Sequence, residues 1–377
     1  MLTLPRFAAN GSHTAEGIDA LIAAHDWPLV EGRDVTFVYR GYVDRVFLRH
    51  FVYGLSSTVP FRRIGETDLW YVTVEIPPGS RVEYKLEVVN GGRGEWIRDP
   101  LNPREARDPF GANSVAVGAG YATPAWIEPD PEARAGSLED LTFRDTPFGD
   151  DRRVTLYLPA RFRKSRRYPL LVVHDGGDYL KYSALKTVLD NLIHRQEVAP
   201  LVAALTHPGN RMVEYPDDPR HVAFIADTLV PWLEARYPLF GNPANRCLMG
   251  ASFGAVASLS TAWRRPGVFG RLLLQSGSFA FTDIGENKRG PAFEPVVSFV
   301  NAFRAEPGKP SERVFMSCGM YESLIYENRS MAPFLQALGM DVRLVEARDG
   351  HNWENWRDRL REGLSWLFPG HLWMVYE

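Results

Sequence analysis

Gly250-Ala251-Ser252-Phe253-Gly254 holds a serine between two glycines in the pattern G-x-S-x-G. A serine presented for attack sits on a sharp, strained turn between a strand and a helix. Side chains at the flanking positions would strike those neighbours, which explains the glycines. The context fits, with RCLM as an apolar strand before the turn and FGAVASLSTAW, rich in small residues, as a closely packed helix after it. A serine hydroxyl is a weak nucleophile at neutral pH and needs an adjacent base. On such a turn the order along the chain is nucleophile, acid, histidine. Only His351 and His371 follow Ser252. His351 stands in a polar loop just past the strand candidate DVRLVEA and is the expected general base. The orienting acid belongs at the end of the strand between them. Glu322, three residues past the strand-ending Gly319, is preferred, with Glu327 and Asp349 as alternatives.

Attack on a carbonyl builds negative charge that backbone N–H groups must receive. One donor is expected from the residue after the nucleophile, Phe253, and the second from the loop after an early strand. LLVVHDGGDY supplies that loop, and either Gly176 or Gly177 would let the backbone face the pocket. His174 in the same loop reads as a structural hydrogen-bonder rather than a base.

Two different textures position these residues. Near the start, Ile18, Leu21 and Ile22 recur at helical spacing over 14–24, with Ser12 and Thr14 as candidate caps. After Pro28 come short β-rich runs, VTFVYR, RVFLRH, DLWYVTVEI, RVEYKLEVV and NSVAVGA, separated by Gly, Pro, Asn and Asp. Such spacing predicts an all-β sandwich. YATPAWIEPDPEARAG, proline-rich and aperiodic, reads as a linker. Beyond it apolar strands alternate with helices near 183–196, 222–237, 253–263 and 330–338, which implies a mostly parallel sheet covered on both faces. The expected division is an amino-terminal helix plus sandwich over 1–120, a linker over 121–136 and an α/β catalytic domain over 137–377.

Composition narrows the partners. Lys plus Arg number 43 against 46 Asp plus Glu, a net charge of −3 that points to neither nucleic acid nor an anionic membrane surface. Cys247 and Cys318 lie in apolar runs and read as reduced core thiols; two cysteines build no metal site, so no metal and no cofactor are expected. MLTLPRFAANGSHTAEG has no basic segment followed by an apolar run, and no stretch approaches the roughly 18 apolar residues of a membrane span. A cytoplasmic location is the expectation.

Five segments carry a family resemblance: HDGGDY, NRMVEY, GASFGAVASL with QSGS, CGMYES and DGHNWENWRDRL. In them the catalytic half resembles the esterase D group of α/β-hydrolases, and within it the enterochelin (siderophore) esterase type. WPLVEGRDVTFVYR, RDPLNP and DPFGANSVAV are similar to the immunoglobulin-like E-set domain that precedes the hydrolase in such esterases. The resemblance implies hydrolysis of a small-molecule ester through an acyl-enzyme, with Glu322 as the acid. The leading expectation is a catecholate siderophore, whose iron would belong to the substrate, or a related aromatic-acid ester. An anionic catecholate calls for cationic groups, of which Arg211 is the first candidate and Arg357 the second. Arg211 and Glu214 fall at an R-x-x-E pair found in enterochelin-type members, and an internal salt bridge from Arg211 to Glu214 or Asp217 is the competing reading. Trp353, with Trp356, would wall an aromatic pocket or else pack in the core. A carbohydrate esterase is the alternative, with a glycan-binding β-domain that an exposed aromatic pair including Trp70 or Trp96 would support, though both tryptophans read rather as sandwich core.

Overall fold

The computed structural model describes residues 2–10, 13–281 and 290–370, and contact grouping divides the chain into two compact units. The first comprises residues 1–123 together with 320–323 and 347–352, and the second holds the rest.

In the first unit, helices α1 (Thr3–Ala9) and α2 (Ala15–Ala23) precede the sheets. Thr14 caps α2 by accepting the Gly17 N–H, as its position predicts, whereas Ser12 lies outside the described residues. One antiparallel sheet has the order β1-β2-β6-β5, formed by Leu29–Glu31, Asp34–Arg40, Leu69–Glu75 and Arg62–Arg63. The other has the order β4-β3-β7-β10-β9, from Thr58–Pro60, Arg45–His50, Arg81–Asn90, Gly111–Val117 and Glu105–Asp108, with β8 (Arg93–Ile97) also paired to β7. Alternate residues of the two sheets face each other: Val35, Phe37, Trp70 and Val72 from one meet Val46, Leu48, Tyr84 and Leu86 from the other. This is the expected immunoglobulin-like sandwich. Trp70 is core, but Trp96 on the β8 hairpin is 49% exposed.

The second unit is built on an eight-stranded sheet of order β11-β12-β14-β13-β15-β16-β17-β18. Its strands are Ser137–Phe143, Arg152–Leu158, Val202–Thr206, Leu170–Val173, Arg246–Ala251, Arg271–Gln275, Arg313–Gly319 and Asp341–Ala347. β11, β12 and β14 pair antiparallel, and the pairings from β14 through β13, β15, β16 and β17 are parallel. Leu170 and Val172 of β13 enter one core while Leu171 and Val173 enter the other, which is why the strand sequence is uninterruptedly apolar. The covering helices are α3 (Gly176–Tyr182), α4 (Leu185–His194), α5 (Arg211–Glu214), α6 (Pro219–Val222), α7 (Val230–Arg236), α8 (Phe253–Arg264), α9 (Glu294–Ala305), α10 (Ile325–Ala337) and α11 (Trp353–Leu367). A π-helical stretch, Ala223–Leu229, joins α6 to α7, so the helix expected over 222–237 is continuous. α10 starts ahead of the expected 330, which puts Glu327 in its first turn. This is an α/β-hydrolase domain, preceded along the chain by the smaller β-sandwich. Among the described residues, no helix is long and apolar enough to cross a membrane.

Candidate active site

Ser252 stands between β15 and α8 with φ 58° and ψ −120°, a left-handed backbone that costs a non-glycine residue roughly 1–3 kcal/mol. Asp175 after β13 (φ 54°) and Ser276 after β16 (φ 45°) share the left-handed region, so three adjacent parallel strands end in non-glycine residues of unusual backbone. Carboxyl ends of parallel strands are where open α/β sheets bind ligands. The Ser252 N–H donates to the Gln275 carbonyl at 2.9 Å, and its hydroxyl lies 3.2 Å from that of Ser278. A Cβ on Gly250 would lie 2.3 Å from the Gly254 carbonyl oxygen, so glycine there permits the turn.

Glu322 and His351 come together in the first unit. Glu322 follows β17 and His351 follows β18, and His351 Nδ1 meets a Glu322 carboxylate oxygen at 2.5 Å. The carboxylate is buried and the imidazole partly exposed. An Nδ1–H held by a carboxylate leaves Nε2 as the nitrogen able to take a proton. Glu327, the first alternative acid, is buried in α10. Asp349, the second, is bonded to the Gly350 N–H at 2.7 Å and to the Asn352 amide at 2.8 Å. It supports the turn around His351 instead of reaching the ring.

Phe253 opens α8, so its N–H is one of the amides a helix start leaves without an intrahelical partner. Gly176 and Gly177 open α3, but neither has positive φ; that strain falls on Asp175. The reason for glycine at these positions is close packing. A Cβ on Gly176 would stand 2.6 Å from the Leu205 Cα, and one on Gly177 would stand 2.9 Å from the His207 ring.

Each residue expected to bind substrate has protein partners of its own, and for Arg211 it is the competing salt-bridge reading that needs revision. Arg211 pairs with neither Glu214 nor Asp217. Its Nε lies 2.9 Å from Asp175 Oδ2, its Nη2 donates to the Ala251 carbonyl at 3.2 Å, and the guanidinium lies over the rings of Tyr215 and Phe253. Glu214 is buried, paired with Arg152 at 2.9 Å, and accepts the Asn210 N–H at 2.8 Å. A carboxylate neutralised inside the protein shapes the 209–214 loop and is not available to a ligand. Trp353 is core, packed edge-on against Tyr179 and Trp356, and the Trp356 indole N–H donates to Ser276. Arg357 bonds its neighbour Asp358.

His174 is structural, as expected. It is fully buried against the Met249 carbonyl, Ser258 and His221, and burial pushes its pKa down to about 4. Burial raises Asp175 above the usual carboxylate range while Arg211 opposes it. Asp175 and Ser278 were not singled out in the sequence; the signal available for Ser278 was its place in QSGS. Cys247 and Cys318 are both buried, and neither is in a disulfide. Among the described residues, no group of three His, Cys, Asp or Glu side chains could hold a metal ion.

A strained serine on a glycine-flanked elbow between strand and helix of an α/β-hydrolase sheet is the frame of a carboxylic ester hydrolase. The chain belongs to the family described as "Putative esterase", whose model matches residues 146–367. It is 25% identical to the iron(III) enterobactin esterase of Dickeya dadantii, over 91% of this chain and 90% of that one. It is likewise 25% identical to an Escherichia coli enzyme of the same name, over 82% of each. The crystal structure of the enterobactin esterase from Shigella flexneri in the presence of enterobactin superimposes with a TM-score of 0.75, at 21% identity, covering 94% of this chain and 99% of that one. A ferulic acid esterase structure gives a TM-score of 0.54 over 63% of this chain.

Proposed function

We propose that this protein hydrolyses an enterobactin-like catecholate siderophore ester by a serine acyl-enzyme mechanism, with Ser252 as nucleophile, His351 as general base and Glu322 as orienting acid. The observation that carries the catalytic part is the buried Glu322 carboxylate on His351 Nδ1, since it fixes the tautomer a base requires. His351 Nε2 removes the Ser252 hydroxyl proton as Oγ attacks the ester carbonyl. The oxyanion takes hydrogen bonds from the Phe253 N–H and from a backbone N–H of Gly176 or Gly177. Collapse breaks the ester C–O bond, and His351 returns the proton to the leaving alkoxide. Water then attacks the Ser252 ester with His351 again as base, releasing the carboxylic acid.

The substrate class rests on relatives that match most of both chains and are named for iron(III) enterobactin. Likeness to the Shigella flexneri enzyme extends over the sandwich as well as the hydrolase, whereas the ferulic acid esterase covers 63% of this chain. Arg211 would supply cationic character to an anionic catecholate. A siderophore-releasing role belongs in the cytoplasm, where the freed iron is used. Trp96, exposed on the sandwich with Arg49 5.2 Å over its ring, favours a second reading, a feruloyl or acetyl carbohydrate esterase whose β-domain binds glycan.

One assay separates the readings. Initial rates are compared on a catecholate trilactone with and without iron, a feruloyl sugar ester, an acetylated xylan fragment and an aryl acetate, with Ser252→Ala as control. The expected result is the highest kcat/KM on the trilactone and no turnover or fluorophosphonate labelling by Ser252→Ala. Higher kcat/KM on the feruloyl or acetyl substrate would move the assignment to the carbohydrate class, and persistent labelling would remove Ser252 as nucleophile.

A further inference from the structure

Two consecutive residues of the β-sandwich unit hold the two turns that carry Glu322 and His351. The Ser80 hydroxyl lies 2.6 Å from the hydroxyl of Tyr321, the residue before Glu322. Arg81, which opens β7, has a side chain only 4% exposed and directs Nη1 into the turn around His351, at 3.3 Å from Asp349 Oδ1 and 3.0 Å from Asn352 Oδ1. Glu83, two residues along the same strand, accepts from the same guanidinium at 3.2 Å and keeps it aimed.

Backbone bonds complete the attachment. The Arg81 N–H donates to the Arg348 carbonyl at 2.9 Å, and the Tyr53 N–H donates to the Tyr321 carbonyl at 2.8 Å. The two turns are also tied to each other, through Met320 N–H to Ala347 O at 2.7 Å and Tyr321 N–H to Asp349 O at 3.0 Å. Within the 349–352 turn, one carboxylate oxygen of Asp349 gathers the Gly350 N–H, the Asn352 amide and the Arg81 guanidinium. His351 therefore sits between two residues that Arg81 bridges.

We infer that Ser80 and Arg81 are positioning residues for the esterase reaction, setting the separation and aim of Glu322 and His351 from the β-sandwich. The inference rests on the assignment of Glu322 and His351 as acid and base. A buried, hydrogen-bonded arginine suits the task because a planar guanidinium fixes direction as well as charge, and an imidazole displaced by about 1 Å costs on the order of a hundredfold in rate.

Asp349 adds a signature that simple loss of packing would not produce. Burial pushes its carboxyl up to about 6, against the opposing pull of Arg81. The charged groups acting on it are Arg81, which lowers it, and Glu83, which raises it, both from β7; Arg348 and His351 stand beside it in sequence, and Glu322 lies on the neighbouring turn. Without Arg81 the burial effect is less opposed. The carboxyl then takes up its proton at a higher pH and gives up its acceptor role in the turn sooner as the medium is acidified.

The test measures kcat, KM and the pH–rate profile on a neutral aryl acetate for Arg81→Met, Arg81→Lys, Tyr321→Phe and His351→Ala in the full chain, with active sites counted by fluorophosphonate titration. The expected result is a kcat for Arg81→Met that falls about ten- to a hundredfold per titrated site with KM nearly unchanged. Its acid limb should move to higher pH, and Arg81→Lys should bring the limb part of the way back. Tyr321→Phe removes a single hydroxyl, so it reports on the second attachment even where Arg81→Met fails to fold; its kcat should also fall. A wild-type kcat and acid limb in both variants, with His351→Ala inactive, would overturn the inference and leave the triad standing. An active His351→Ala would overturn the triad assignment and this inference together.

Discussion

Gly250 and Gly254 meet backbone to backbone across the elbow, and the meeting is asymmetric. A Cβ at position 250 would press 2.3 Å from the Gly254 carbonyl oxygen and 2.9 Å from its Cα, atoms that cannot swing aside. One at 254 meets Asp175 Oδ2 and the His174 Cβ at 3.3 Å, a contact that small shifts relieve. Gly250→Ala should therefore cost about 3 kcal/mol of stability and most of the activity, and Gly254→Ala about 1 kcal/mol. Urea unfolding of the two variants checks this, and equal costs would contradict it.

In the proposed triad Glu322 acts only through His351, so its loss should hurt less than loss of the nucleophile. Glu322→Gln keeps an acceptor but removes the charge that stabilises the imidazolium, and a drop in kcat of about 10²–10⁴ is expected with KM little changed. Steady-state kinetics on an aryl ester read it directly. Near-wild-type activity would shift the acid to Glu327 or leave a Ser–His pair working alone.

The elbow and the pairing of Glu322 with His351 were legible because each obeys a local rule: the turn demands glycines, and chain order leaves His351 and His371 as candidate bases, the latter outside the described residues. What was not legible is set by three-dimensional neighbours. Arg211 was matched in sequence with Glu214, but β14 lies beside β13, which brings the Arg211 loop to Asp175, and β12 beside β14 brings Arg152 to Glu214. Trp96 reads with Trp70 as sandwich core, yet β8 pairs with β7 in an exposed hairpin. The hold of Arg81 on Asp349 spans 268 residues and has no sequence signature.

Arg211 balances a buried carboxylate, which predicts a stability effect ahead of any effect on binding. Arg211→Met leaves Asp175, only 3% exposed, without its cation, and should cost about 2–4 kcal/mol. Adding Asp175→Asn removes the stranded charge and should return part of that loss, a coupling that a double-mutant cycle by urea unfolding measures. KM for a neutral aryl ester should hold in the folded fraction. A rise in KM confined to an anionic catecholate ester would add a direct role in substrate binding.

His174 and His221 face each other Nε2 to Nε2 at 2.9 Å, and an N–H···N bond at that distance needs one ring donating and the accepting ring neutral, so the two cannot both be protonated. Burial holds His174 near 4, and burial, with His174 and Arg152 close by to disfavour a second positive charge, holds His221 well below the ordinary imidazole value. Both folded-state values lie below the unfolded value near 6.5, so between them the unfolded chain binds more protons and stability falls as the pH drops. The His174 shift alone corresponds to about 3 kcal/mol lost between pH 7 and pH 4. A His174→Gln, His221→Asn double variant lacks both groups, so its unfolding free energy should decline by at least that much less over the same range. Urea titrations at pH 7, 5.5 and 4 make the comparison, and parallel declines in the two proteins would show that the pair is not what acid attacks first.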